Sequence, residues 1–170
     1  GRKVPIHLYG PGELKAYLSS YESFFGALPY EQVLVSPSDK KSFVFENEKL
    51  TVQAIRLKHR IPAYGYLFRE KRKELNVRKE LIHVHGLGIA DLVKVKRGLD
   101  FIKPSGEVIP NSQLTLPPYR QRSYAYLSDT RFDPELVNQL NGIDLLYHEA
   151  TFLEKDKKLA EQTQHSTAAE

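Results

Sequence analysis

The sequence predicts a layered α/β sandwich. Three observations carry that expectation: hairpin-like β segments before residue 70, a return to alternating strand and helix after residue 122, and apolar runs in that later region that end in His, Asp or Glu. Val4–Gly10 reads as a short strand closed by the Gly10-Pro11-Gly12 turn. Over residues 12–28, Leu14, Tyr17, Leu18, Tyr21, Phe24, Phe25 and Leu28 recur at helical spacing, with Pro29 just beyond, so a helix with core or interface aromatics is expected. Gln32–Val35, Ser42–Phe45, Leu50–Leu57 and Tyr64–Phe68 then read as a β-meander, with Asn47-Glu48 as a hairpin turn.

Residues 70–122 lack a sustained period and read as an irregular insertion in a single domain spanning 1–170. Short helices are expected near 77–84 and 88–93, a turn at Pro104-Ser105-Gly106 and extended chain at Pro117-Pro118. The α/β rhythm resumes with strand Tyr124–Leu127, helix Pro134–Leu140 capped by Asp133, strand Ile143–Tyr147 and a helix near 154–163. With no strand after the last phrase and the first starting four residues in, the domain reads as incomplete at both ends.

Composition narrows the chemistry. The 170 residues suffice for one core, and no apolar run is long enough to span a bilayer. The absence of cysteine excludes disulfides and thiolate metal sites and fits a cytoplasmic protein, so any metal must be held by His and carboxylates. The net charge of +4 is mild, but it clusters in Arg69–Lys79 and again at Lys94, Lys96 and Arg97. Such a cluster is either a solvated helix face or a set of phosphate contacts.

Three chemistry-bearing residues follow strand-like runs: His59 after Leu50–Leu57, Asp129 after Tyr124–Leu127, and His148 at the end of Ile143–Tyr147. Strand ends converge at one edge of a layered fold, and imidazole with carboxylate suits Zn²⁺ or Mn²⁺. Each also has a structural reading, as a polar cap or turn residue. His165-Ser166-Thr167 could likewise cap a helix, and His83-Val84-His85 reads as local packing because Leu87 and Gly88 stand where a fuller metal motif would continue.

The phrases Leu57-Lys58-His59-Arg60-Ile61-Pro62-Ala63-Tyr64-Gly65-Tyr66, Ser128-Asp129-Thr130-Arg131, His148-Glu149-Ala150-Thr151-Phe152 and His165-Ser166-Thr167, in this order, resemble ribonuclease Z of the metallo-β-lactamase superfamily. Pro5-Ile6-His7-Leu8-Tyr9-Gly10-Pro11 is also similar. The resemblance implies an αβ/βα sandwich, usually a homodimer, holding two Zn²⁺ ions and removing 3′ trailers from precursor tRNA by metal-activated water attack on a phosphodiester. No membrane or DNA partner is implied. By motif match, His59 would ligate one zinc, Asp129 would bridge both, and His165 would protonate the leaving 3′-oxygen, with His148 and Glu149 orienting ligands or the His165 loop. Arg69, Lys71, Arg72, Lys73, Lys94, Lys96 and Arg97 are the candidates for RNA contact.

The family's His-x-His-x-Asp-His motif and its last histidine ligand have no counterpart in these residues, so the chain alone is expected to be inactive. Its Gly-Pro-rich tRNA-clamping arm is likewise unrecognisable over 77–103. Another phosphodiesterase or hydrolase of the same fold, or an inactive fragment that binds RNA or a partner chain, are the alternative readings.

Overall fold

The computed structural model describes residues 2–37 and 43–170 and divides the chain into two compact units, one built from residues up to Glu70 together with Arg122–Glu170, the other Lys71–Gln121. In the first unit, β1 (Ile6–Tyr9) is followed by α1 (Leu14–Phe25), β2 (Gln32–Val35), β3 (Phe43–Glu46), β4 (Leu50–Leu57) and β5 (Ala63–Glu70). Ser42, expected to open β3, lies outside the described residues. Asn47 makes the β3–β4 turn by accepting the backbone N–H groups of Lys49 and Leu50 on its side chain.

β2 leaves the expected meander. It pairs in parallel with β1 as a separate two-stranded sheet, with Ile6 opposite Gln32 and Tyr9 opposite Val35. α1 supplies the crossover that a parallel pair requires. The α1 aromatics do not join the core. Every residue of α1 is half-buried or exposed, and Leu14 and Leu18, four apart, form its inward face with Glu22. Tyr17, Tyr21, Phe24 and Phe25 stand on the rest of the helix surface, where only Tyr21 and Phe25 meet each other, at 4.7 Å.

The second unit contains β6 (Asn76–Val77), α2 (Lys79–His85), α3 (Ile89–Lys96), β7 (Phe101–Ile102), β8 (Val108–Ile109), α4 (Asn111–Leu114) and β9 (Thr115–Leu116). It is more ordered than its sequence pattern suggests. Leu87, Val95, Phe101, Ile109 and Leu114 form its own buried cluster, β6 pairs with β9, and β7 pairs with β8 through a turn at Gly106, whose φ of 87° suits glycine. Asn111 locks it internally by donating to the carbonyls of Val95 and Leu99.

The first unit resumes with β10 (Ser123–Leu127), α5 (Leu136–Leu140), β11 (Leu145–His148), a 3₁₀ turn at Glu154–Asp156 and α6 (Lys157–Thr163). α5 begins two residues later than its Pro134 start was expected. Asp133 acts in the approach turn instead, its carboxylate accepting the Glu135 N–H and its carbonyl the Leu136 N–H. The main sheet runs β11-β10-β5-β4-β3. One face buries Ile55, Leu57, Leu67, Ala125 and Leu127 against Leu136 of α5. The other carries stacked pairs, Phe68 on Tyr124 and Tyr126 on Tyr147, and the Tyr66 hydroxyl donates to the Tyr9 carbonyl at 2.6 Å.

This topology places the chemistry. β4 and β10 are each antiparallel to β5, and β11 is parallel to β10, so β4, β10 and β11 all end at the same edge. Gly65 permits the close approach there: a Cβ on it would lie 2.5 Å from the Leu127 side chain and 2.8 Å from the Tyr126 carbonyl.

Candidate metal centre

Lys58-His59, Ser128-Asp129 and His148-Glu149 fall at the carboxyl ends of β4, β10 and β11. α6 ends on a reversal at Gln164, the one non-glycine residue with positive φ (60°) among the described residues. There the Gln164 and His165 N–H groups return to carbonyls of the helix's last turn. The reversal sends His165 back toward the sheet edge and presents the Gln164 carbonyl to His59.

Among the described residues, His59, Asp129 and His165 form one donor group, their ligand atoms all within 4.8 Å of one another. The His59 and His165 rings meet edge to face at 4.9 Å. His59 Nδ1 lies 2.8 Å from the Gln164 carbonyl, which only accepts, so Nδ1 carries the proton and Nε2 keeps its lone pair. His165 Nδ1 lies 2.8 Å from Glu149 Oε1, which leaves Nε2 of that ring open in the same way. Asp129 is exposed. Two imidazole nitrogens and a carboxylate, each histidine oriented through its other nitrogen, are a donor set that suits Zn²⁺ or Mn²⁺, so the residues present fit a divalent ion.

Glu149 organises this corner. Its Oε1 accepts the Thr130 and Ser166 N–H groups and His165 Nδ1, and its Oε2 accepts the Thr151 N–H and hydroxyl. Burial pushes its carboxyl upward, but the hydrogen bonds from Thr130, Thr151 and His165 together outweigh that and hold it below the ordinary glutamate range. Lys58 bridges Asp133 and Glu135 at 2.9 and 3.1 Å, and their hydrogen bonds raise it above the usual lysine value.

His148 stands outside the donor group. Its Nδ1 meets the Glu149 carbonyl at 2.7 Å, and it lines an apolar cleft with Leu136, Leu140 and Leu146. His83 and His85 close α2 in the other unit and take no part in the group. Of the residues expected to touch RNA, Arg69, Arg72, Lys73, Lys94, Lys96 and Arg97 are exposed and Lys71 is half-buried. Lys94 and Lys96 occupy the last turn of α3, where positive charge also complements the helix dipole. Sequence reasoning did not single out Thr130, Thr151, Ser166 or Gln164. The first three lie inside the quoted phrases, whereas the left-handed turn at Gln164 has no signal in its residue type.

A donor group able to hold a divalent ion thus lies at the carboxyl edge of a mixed α/β sheet. Human tRNase Z, short form, superposes with a TM-score of 0.56 at 20% identity, over 97% of this chain and 54% of that one, a likeness that bears on the fold alone. No family model matches the chain. It is 44% identical to ribonuclease Z of Parabacteroides distasonis over 99% of its own length and 56% of that protein's. It is 40% identical to ribonuclease Z of Bacteroides fragilis, over 100% and 57%. The chain resembles ribonuclease Z throughout, and it spans about half the length of the curated relatives it matches.

Among the described residues, no helix is long and apolar enough to cross a membrane.

Proposed function

We propose that this chain is part of a zinc-dependent endoribonuclease that removes 3′ trailers from precursor tRNA, acting in the cytoplasm as a homodimer. The observation that carries the reading is the His59, Asp129 and His165 donor group at one sheet edge, in a chain 44% identical to a protein named ribonuclease Z. His59 would hold metal through Nε2 and Asp129 through its carboxylate. His59 and Asp129 do not close a two-ion site, so further ligands come from the part of the relatives' length that this chain does not cover. When bound, zinc would polarise the phosphodiester and make water acidic enough to act as the nucleophile.

The chain's own groups handle the leaving side. As water adds to phosphorus and the P–O3′ bond breaks, His165, as the imidazolium whose Nδ1–H is held by Glu149, gives its Nε2 proton to the departing oxygen, leaving a 3′-hydroxyl on the tRNA and a phosphate on the trailer. Glu149 fixes the tautomer and tilt of that ring through Nδ1. His148 acts at one remove, since its Nδ1 binds the Glu149 carbonyl and steadies the turn that carries the carboxylate. Arg69, Lys71, Arg72, Lys73, Lys94, Lys96 and Arg97 contact the RNA backbone. The exposed aromatics of α1 give a second copy an apolar face to cover.

The test is trailer cleavage of labelled precursor tRNA with added zinc, by the chain alone and by a polypeptide containing it at the relatives' full length. The chain should bind without cleaving. The longer protein should release a 3′-hydroxyl end, and His165→Ala should slow that about 10²- to 10⁴-fold while leaving binding intact. Hydrolysis of a small phosphodiester with no cleavage of precursor tRNA would point to a different hydrolase.

A further inference from the structure

The three donors come from separate segments, yet each lies one residue from a single buried hydrogen-bonded knot. Lys58 precedes His59, Thr130 follows Asp129, and Ser166 follows His165. The Lys58 N–H donates to Thr130 Oγ1 at 3.2 Å, and the Arg131 N–H returns to the Lys58 carbonyl at 2.9 Å. The Thr130 carbonyl accepts the Ser166 hydroxyl at 2.8 Å, and its N–H reaches Glu149 at 3.0 Å. Thr130 and Ser166 are fully buried. Outside the knot, Lys58 Nζ braces the same loop through Asp133 and Glu135.

Packing cannot hold the donors themselves in register, because Asp129 is exposed and both histidines are only half-buried. We infer that Thr130, braced by Lys58, is the positioning residue of the donor group, a clasp that sets His59, Asp129 and His165 at ligand spacing before any metal arrives. Thr130 suits this role because its N–H, carbonyl and hydroxyl each engage a different segment, and its hydroxyl is a link to the end of β4 that a side-chain change can remove. The spacing follows from the hydrogen bonds alone, and only the consequence for metal affinity rests on the proposed metal centre.

Thr130→Val keeps the shape and deletes the acceptor for the Lys58 N–H. The test is the contact between the His59 and His165 ring protons, read as inter-ring NOEs by NMR on the metal-free 170-residue chain. Those NOEs should weaken several-fold in Thr130→Val while the amide signals of β4, β5 and β10 persist, and Thr130→Ser should restore them. Unchanged NOEs in folded Thr130→Val overturn the proposal. Should that variant fail to fold, Ser166→Ala, which removes the hydroxyl from the Thr130 carbonyl, decides instead: weakened NOEs support the clasp, and intact ones overturn it. Zinc titration separates the two ideas. Zinc affinity about 10- to 100-fold lower in Thr130→Val than in the unaltered chain supports the clasp, and equal affinity counts against it. An unaltered chain that takes up no zinc shows that the further ligands are required for uptake, and the NOEs then decide the clasp by themselves.

Discussion

The corner around Glu149 and the unit Lys71–Gln121 keep their shapes by opposite means. At the corner, buried groups that matter are polar: Thr130, Glu149 and Ser166, joined atom to atom. In the other unit the buried groups that matter are apolar, Leu87, Val95, Phe101, Ile109 and Leu114. A polar knot depends on which atom stands where, and an apolar cluster depends on how much volume is filled. The first should therefore fail under changes of atom at constant shape, and the second under changes of volume.

The sharpest break of that contrast is Glu149→Gln, which alters almost no volume. Either end of the carboxamide places an NH₂ against at least two donors, because both carboxylate oxygens accept more than one. With two or more buried donors unpaired, the expected loss is roughly 4 kcal/mol, read from urea unfolding. The same variant tests a pH effect. The folded Glu149 carboxyl titrates below its unfolded value, so the stability it contributes is fully present above the ordinary glutamate range and is lost as pH falls through the lowered folded value. Glu149→Gln should flatten that acid limb. An equally steep limb in the variant would assign acid sensitivity to other carboxylates.

Next in size is Leu114→Ala. Leu114 is fully buried in the apolar cluster, and truncation should cost about 3 kcal/mol. Hydrogen exchange should quicken over α3, β7 and β8 while β4, β5 and β10 keep their protection. Uniform acceleration through both units would mean that they unfold together.

The contrast also explains what could be read from the sequence. Leu50–Leu57 and the Tyr124–Leu127 run carry enough β-like apolar residues to mark strands, so His59 and Asp129 were legible as strand-end residues from pattern alone. The phrase containing His165 was legible too. Which atom meets which was not: the Glu149 knot joins residues far apart in sequence, and pattern carries no information about acceptor counts. The pairing of β2 with β1 was missed because a parallel partner lies across a helix, whereas an antiparallel meander is the local default. For the α1 aromatics, helical spacing identifies a helix but not which side meets the protein, so core and interface could not be told apart until their exposure was seen. Lys71–Gln121 looked irregular because its elements are two to eight residues long, too short for a period to repeat.

The smallest effect on stability, and the one that bears most on RNA, concerns Lys94, Lys96 and Arg97. If they only complement the α3 dipole, alanine at all three costs some tenths of a kcal/mol per charge, about 0.3–1 at most, and leaves RNA binding untouched. If they meet phosphates, stability changes equally little but the dependence of log K on log salt for precursor tRNA becomes shallower by roughly 0.7–0.9 for each phosphate left without its cation. The two readings thus agree on folding and part on the salt slope. Thr130→Val supplies the reciprocal control: a change that loosens the donor group without removing a cation should leave that slope where it was. A slope that moves with Thr130 and stays fixed with the α3 cations would put the RNA backbone at the polar corner and leave the basic turn of α3 a solvated helix end.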